Sequence, residues 1–309
     1  MSIALAVHGG AGAVKAERLE KHRAQYEQGL AEALRAGQKV LAAGGPAVEA
    51  VVAATASLED SEWFNAGRGS VLAAPGEVQM SASVMRGDDL QAGGVALMRR
   101  IRHPVLAARA LLDERHTVMV GTEAEAALIE RIGLETCDPE WFITPDRRNQ
   151  WEKLRGSGTV SVDHDTQTVG AVARDRHGGL AAATSTGGLA NQASGRLSDT
   201  AIPGAGTWAA DATAAVSATG DGDVFIRVAF ARRVADLVEL EGVSLERACD
   251  QTLMELGDAG GQGGAIALTL RGAPVMRMNA QGMFRGLLAE NGEIFVAVLK
   301  DEPYHAPAT

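Results

Sequence analysis

"DTQTVGAVARD", Asp165 to Asp175, is the stretch on which the reading of this chain turns. A polar run ends at Thr168, and a β-branched, small-residue run begins at once with Val169 to Ala173. Such a run, apolar without alternation, reads as a strand covered on both faces. On spacing alone Thr168 is an ordinary β-branched strand starter. Its position also suits a different role. A threonine hydroxyl is a poor nucleophile unless a base lies beside it, and a threonine at the start of a chain carries that base in its own α-amine. The α-amine has a pKa of about 7.7–8.0, close to what proton abstraction at neutral pH requires. Such a terminus must first be made by cutting the Gln167–Thr168 bond. An exposed loop before the threonine and a strand after it would leave the bond accessible and the hydroxyl firmly held.

Downstream of Thr168 the texture repeats. "GLAAATST", "AAVSATG", "GAIALTL", "PVMRMNA" and "IFVAVLK" all read as short buried strands, with helices expected over Val224–Leu240 and Leu245–Leu256. Upstream, Ile3–Val7 reads as a strand entering a glycine turn. Ala16–Ala43 has helical spacing, as one long helix or two short ones, and Pro46 opens another helix. "FNAGRGSVLAAPGEVQMSASVM" reads as loop, strand, turn, strand; "PVLAARALLDE" and "EAEAALIERIG" are two further helices. Residues 138–167, rich in Pro and charge, read as an exposed linker with a short strand at Thr159–Val162. Strands buried on both faces and flanked by helices imply an α+β four-layer αββα sandwich.

Composition narrows the function. The net charge of −10 over 309 residues and an aromatic content of 4% argue against nucleic acid, which demands basic patches and stacking platforms. No apolar run is long enough for a membrane span, and "MSIALAVHGG" lacks the basic region of a signal peptide, so a cytoplasmic enzyme is expected. Two distant cysteines, Cys137 and Cys249, make neither a disulfide framework nor a zinc site. No serine-hydrolase elbow, zinc-protease helix or P-loop occurs. "GGAGAV" at Gly9–Val14 is an incomplete dinucleotide fingerprint, and "TGDGD" at Thr219–Asp223 lacks the rest of a calcium loop.

Five segments then point one way: "TVGAVARDRHGGLAAATSTGG", "SGRLSDTAIPGAGTWA", "SATGDGDVFIR", "VHGGAGA" and "LEDSEWFNAGRGS". Together they resemble the plant-type L-asparaginases/isoaspartyl aminopeptidases, threonine-type N-terminal-nucleophile hydrolases, over essentially the whole chain. The resemblance implies an αββα sandwich that cuts itself into an α subunit (1–167) and a β subunit (168–309), assembles as (αβ)₂, and hydrolyses L-asparagine and β-aspartyl dipeptides without a catalytic cofactor. It makes Thr168 the nucleophile and Gln167–Thr168 the cleavage site, with Thr186 hydrogen-bonded to the nucleophile. It places Arg196 on the substrate α-carboxylate, Asp199 on its α-ammonium, Thr219 and the Gly220 N–H in the oxyanion hole, Gly222 against the ligand, and Asn65 near the nucleophile. It also implies a structural sodium ion on the main-chain carbonyls of Leu58, Glu59, Ser61, Phe64, Ala66 and Arg68, and a glycine loop at His8–Gly12 beside the cleavage site.

The sequence departs from the family pattern at two places. Gln167 stands where Gly or Asp is usual, and its longer side chain would restrict the backbone that self-cleavage needs. Ser81 stands where an acid is more common. Two other threonines compete as nucleophile. Thr159 would lie 27 residues before Thr186 rather than the family-like 18, and Thr166 is followed by "QT", which breaks the match with "VGAV". Two other functions remain open: a glycosylasparaginase-like hydrolase, disfavoured by Gly188 where those enzymes resemble "STNG", and an uncleaved homologue that only binds aspartyl ligands.

Overall fold

The computed structural model describes residues 1–160 and 168–307. The chain begins with strand β1 (Ala4–Gly12), then helices α1 (Ala16–Ala42) and α2 (Ala47–Asp60). Strands β2 (Met80–Arg86) and β3 (Ala92–Met98), helix α3 (Pro104–Ala110), strand β4 (Val118–Val120) and helices α4 (Thr122–Ile132) and α5 (Pro145–Leu154) follow. After Thr168 come strands β5 (Val169–Arg174), β6 (Leu180–Thr186), β7 (Thr207–Ala209) and β8 (Ala215–Gly220). Helices α6 (Gly222–Val228), α7 (Phe230–Leu240) and α8 (Leu245–Asp258) lead to β9 (Gly263–Leu268), β10 (Val275–Met278), β11 (Gly282–Leu288) and β12 (Ile294–Leu299).

Eight strands form one sheet in the order β12-β11-β1-β5-β6-β2-β3-β4, and four form a second in the order β10-β9-β8-β7. Strand periodicity explains the layering, because alternate side chains leave opposite faces. On β1, Leu5 and Val7 join a core with α1, α2 and α3, while Ala4 and Ala6 join Ile266 and Leu268 of β9 in the seam between the sheets. On β8, Val216 and Ala218 pack under α7 and α8, while Ala215 faces the seam. The result is helices, sheet, sheet, helices. The two sheets flanked by helices form the expected α+β sandwich. β1 precedes Thr168 yet pairs with both β5 and β11, which follow it. A cut before Thr168 therefore leaves two chains sharing one sheet.

Several expectations need correction. β1 does not end at Val7: it runs through the glycines to Gly12, with a register shift between His8 and Gly10, where Gly10 takes φ of +110°. The expected glycine turn is thus a bulged strand. Helix α1 is one helix kinked at His22. The helix expected over Val224–Leu240 is broken at Ala229, which adopts the left-handed conformation. No strand precedes β2 in the segment after Asn65. Residues 138–160 are not a bare linker: Thr144 caps α5 by accepting from Arg147 N, Pro145 opens the helix, and Phe142 is fully buried. Thr159 and Val160 form no strand; Ser161, Val162, Thr166 and Gln167 lie outside the described residues.

Candidate active site

The seam between the sheets is alanine-rich at one end and hydroxyl-rich at the other. Ser81, Ser83, Thr184, Thr186, Ser217 and Thr219 occupy seam-facing positions of β2, β6 and β8 and are all buried. Thr168, one residue before β5, is 8% exposed at this end. Its hydroxyl donates to Thr186 Oγ1 at 3.1 Å, and Thr186 Oγ1 also accepts from Gly188 N at 3.0 Å. With both acceptor positions filled, the Thr186 hydrogen points elsewhere. Ser81 lies directly across the β2/β6 ladder from Thr186, so an acid at that position would set a carboxylate beside the Thr186 strand end.

Asn65 holds the turn after Thr186. Its Nδ2 donates to Gly188 O at 2.8 Å, its Oδ1 accepts from Val71 N at 2.8 Å, and its carbonyl accepts from Gly187 N at 2.9 Å. Asn65 therefore acts here through the Gly187–Gly188 backbone. Among the described residues its hydrogen bonds all go to main chain, none to Thr168 itself.

Thr219, at the end of β8, is 1% exposed, and its Oγ1 accepts from Ala11 N at 3.3 Å. That bond leaves the Thr219 hydroxyl hydrogen available to a ligand. Gly220 follows with φ of +146°, and a Cβ there would lie 2.2 Å from Gln262 O, so only glycine fits.

Arg196 and Asp199 come together around Gly222. A Cβ on Gly222 would fall 2.3 Å from Asp199 Oδ1 and 3.0 Å from Arg196 Nη2, which explains the glycine. Arg196 is not paired with Asp199. Asp223 Oδ2 accepts from its Nη2 at 2.8 Å and its Nε at 3.2 Å, and Gln192 Oε1 accepts from its Nη1 at 3.2 Å. One hydrogen remains on each terminal nitrogen for an incoming carboxylate. Gln192 Oε1 also accepts from Leu189 N, linking the clamp to the turn after Thr186. Asp199 is fully buried, and burial lifts its carboxyl to about 6 against the opposing pull of Arg196. Among the described residues its Oδ2 has no hydrogen-bond partner. A buried carboxylate oxygen without a partner, beside a guanidinium with unused hydrogens, is suited to an α-amino acid.

Thr159 is exposed, and its carbonyl accepts from Asn191 Nδ2 at 2.8 Å. Thr166 and Gln167, the other residues discussed at the junction, lie outside the described residues. Sequence reasoning passed over Gln192 and Asp223, the two residues that hold the Arg196 guanidinium. Asp223 stood in the quoted "SATGDGDVFIR"; Gln192 carried no signal.

The loop after α2 curls on its own carbonyls. A Cβ on Gly67 would lie 2.3 Å from Glu59 O, and one on Gly69 would lie 2.6 Å from Phe64 O and 2.7 Å from Glu62 O. Leu58 O and Glu59 O accept from Ser61 N and Arg68 N. A carbonyl oxygen keeps a second lone pair after one such bond. Among the described residues, no cluster of three His, Cys, Asp or Glu side chains could hold a metal, and no helix is long and apolar enough to cross a membrane.

Comparison with known proteins adds to this geometry. The model of a family described as asparaginase matches residues 1–297. An isoaspartyl peptidase of Salmonella typhimurium is 43% identical over 293 residues, 91% of this chain and 93% of its own. An isoaspartyl peptidase of Escherichia coli is 41% identical, with 91% of each chain covered. An isoaspartyl peptidase/L-asparaginase of Danio rerio is 35% identical over 97% of this chain and 96% of its own.

Proposed function

The chain belongs to the asparaginase family, and on that footing we propose that it is a threonine amidohydrolase that releases L-aspartate from L-asparagine and from β-aspartyl dipeptides. One observation carries the reading: the Thr168 hydroxyl lies 3.1 Å from Thr186 Oγ1, in a buried seam that also holds Thr219. The Arg196/Asp199 pair holds the α-carboxylate and α-ammonium of the aspartyl moiety, so its side-chain carbonyl is the part presented to Thr168.

Cleavage before Thr168 frees the α-amine, which takes the Thr168 hydroxyl proton as Oγ1 attacks the side-chain carbonyl carbon. The hydrogen of Thr186, no longer an acceptor for Thr168, turns to the attacking oxygen. The tetrahedral oxyanion is met by the Thr219 hydroxyl and the Gly220 N–H. The α-ammonium returns its proton to the departing nitrogen, leaving an aspartyl ester on Thr168. Water, deprotonated by the same amine, hydrolyses that ester. Only the aspartyl half is held by the clamp, so ammonia and an amino acid are both acceptable leaving groups.

We further propose that the loop Leu58–Arg68 holds a sodium ion on its carbonyls; the glycines at 67 and 69, whose absent Cβ atoms leave those oxygens room, support the fit. The ion would order the loop that carries Asn65. An (αβ)₂ assembly in the cytoplasm completes the proposal; family resemblance supports the assembly, and the two free cysteines suit a reducing compartment.

Intact-mass measurement of the purified protein tests the reading. Chains of 167 and 142 residues, both absent in Thr168→Ala together with asparaginase activity, are expected. Retained hydrolysis in Thr168→Ala, or a cut at Thr159 or Thr166, would move the nucleophile. A chain that stays whole yet binds aspartate would favour the binding-only homologue.

A further inference from the structure

Behind Thr168 a line of buried side chains runs across the seam, and the proposed reaction does not use it. His8, on β1, is fully buried, with Nδ1 3.1 Å from the Thr168 carbonyl oxygen and Nε2 2.9 Å from Ser217 Oγ. Ser217 Oγ lies 2.7 Å from Thr184 Oγ1, which accepts from Thr207 Oγ1 at 2.5 Å. Thr207 Oγ1 in turn accepts from Ser83 Oγ at 2.7 Å. All four hydroxyl residues are fully buried and come from strands of both sheets.

The hydrogens in this line can be assigned from one end. A carbonyl oxygen only accepts, so His8 Nδ1 must carry a hydrogen and donate it. A neutral ring then has only a lone pair at Nε2, so Ser217 must donate to it, its hydrogen shared with Ala183 O at 3.1 Å. Each hydroxyl has a single hydrogen. Thr184 therefore donates to Ser217, Thr207 to Thr184, and Ser83 to Thr207. Every donor points toward His8. Burial supports the neutral ring by pushing His8 down to about 3. Gly170 makes the room: it is the ladder partner of His8, and a Cβ there would lie 2.1 Å from Ser217 Oγ and 2.6 Å from His8 Nε2.

We propose that His8 is a positioning residue, fixed in its Nδ1–H form between the Thr168 carbonyl and the Ser217–Thr184–Thr207–Ser83 hydroxyl line, and that it sets the backbone orientation of Thr168. This rests on Thr168 being the nucleophile. The Thr168 carbonyl bonds to Val169, which is fixed in β5. Rotation about the Cα–C bond of Thr168 would swing both its α-amine and its Oγ relative to the strand. Holding the carbonyl stops that rotation. The hydroxyl line holds the ring, since His8 without a donor at Nε2 would bury an unpaired lone pair.

Two substitutions separate the two ends of the ring. Asparagine mimics the Nδ1 side of histidine and can still donate to the Thr168 carbonyl; glutamine mimics the Nε2 side. We expect His8→Gln to lower kcat, counted per processed chain, by about 100-fold with KM unchanged, the cost of a misplaced nucleophile. His8→Asn should stay within about tenfold of the parent, and neither should change the pH profile. Equal kcat in the two variants, or loss of one limb of the pH profile in His8→Asn, would overturn the proposal; the latter would make His8 a proton-transfer group. If neither variant folds or matures, nitrogen NMR of the labelled parent decides, with the His8 signal assigned by its shift in Ser217→Ala. A neutral Nδ1–H ring between about pH 5 and 8 is expected; an Nε2–H or doubly protonated ring there would overturn the proposal. The nucleophile reading fails separately, through activity retained in Thr168→Ala.

Discussion

Asp199→Asn separates what the clamp does for binding from what it costs the fold. The Asp199 carboxyl is raised from 3.8 to about 6 by burial. A shift of roughly two units corresponds to about 3 kcal/mol, the cost of keeping the ionised group in the folded protein at neutral pH. The folded state binds the proton more tightly than the unfolded state. Parent stability is therefore undiminished below about pH 4, falls as pH rises, and levels off above about pH 6. Asparagine does not titrate. Its amide replaces the partnerless Oδ2 and carries a constant penalty of about 1–3 kcal/mol, so the absolute stability of the variant is less informative than its change with pH. Relative to the parent, Asp199→Asn should gain about 3 kcal/mol between pH 4 and 7, on the order of 5 °C in melting temperature. Parallel thermal melts across that range check it. A difference that is flat with pH, or that moves the other way, would refute the burial argument. Kinetics give the second half. Loss of a desolvated partner for the α-ammonium should lower kcat/KM by about 100-fold or more, and parent kcat/KM should fall as pH drops through about 6, where Asp199 takes up its proton. The Thr168 α-amine alone gives log kcat/KM a slope of one on the acid side, so a slope that does not steepen below about pH 6 would remove Asp199 from ammonium binding.

Two further substitutions test the clamp. Arg196→Lys keeps the charge but cannot serve Asp223, Gln192 and a carboxylate together, so KM should rise by about tenfold or more while kcat changes less; an unchanged KM in steady-state assays would remove Arg196 from carboxylate binding. Gly222→Ala puts a methyl group 2.3 Å from Asp199 Oδ1, and should weaken aspartate binding by at least about tenfold in calorimetry, with parent-like affinity as the refuting result.

Local pattern made much of this molecule legible, and the limits of that reading follow from what local pattern encodes. Val169–Arg174 announced itself as a strand because its β-branched and small residues run without polar alternation, the mark of a strand covered on both faces. The stretch Ala16–Ala42 announced a helix by its apolar spacing. Thr168, Thr186, Arg196, Asp199 and Thr219 were singled out as candidates through quoted motifs, where residue type and neighbours are informative together. The helix break at Ala229 gave no such sign, because alanine favours the helix and tertiary packing overrides it. Helix α5 was hidden by its charges, since a helix can be held by a cap and a buried neighbour rather than by its own apolar face. The hydroxyl line was the least visible. His8, Ser83, Thr184, Thr207 and Ser217 are scattered over 209 positions and look unremarkable singly. The sequence by itself determined the periodicities, and so the layers, and the chemical groups available at each strand end. Only the tertiary structure decided which of those groups meet. Pairing β1 with β5 and stacking β6 on β8 brings distant hydroxyls into hydrogen-bond range, and burial then fixes which of them must donate.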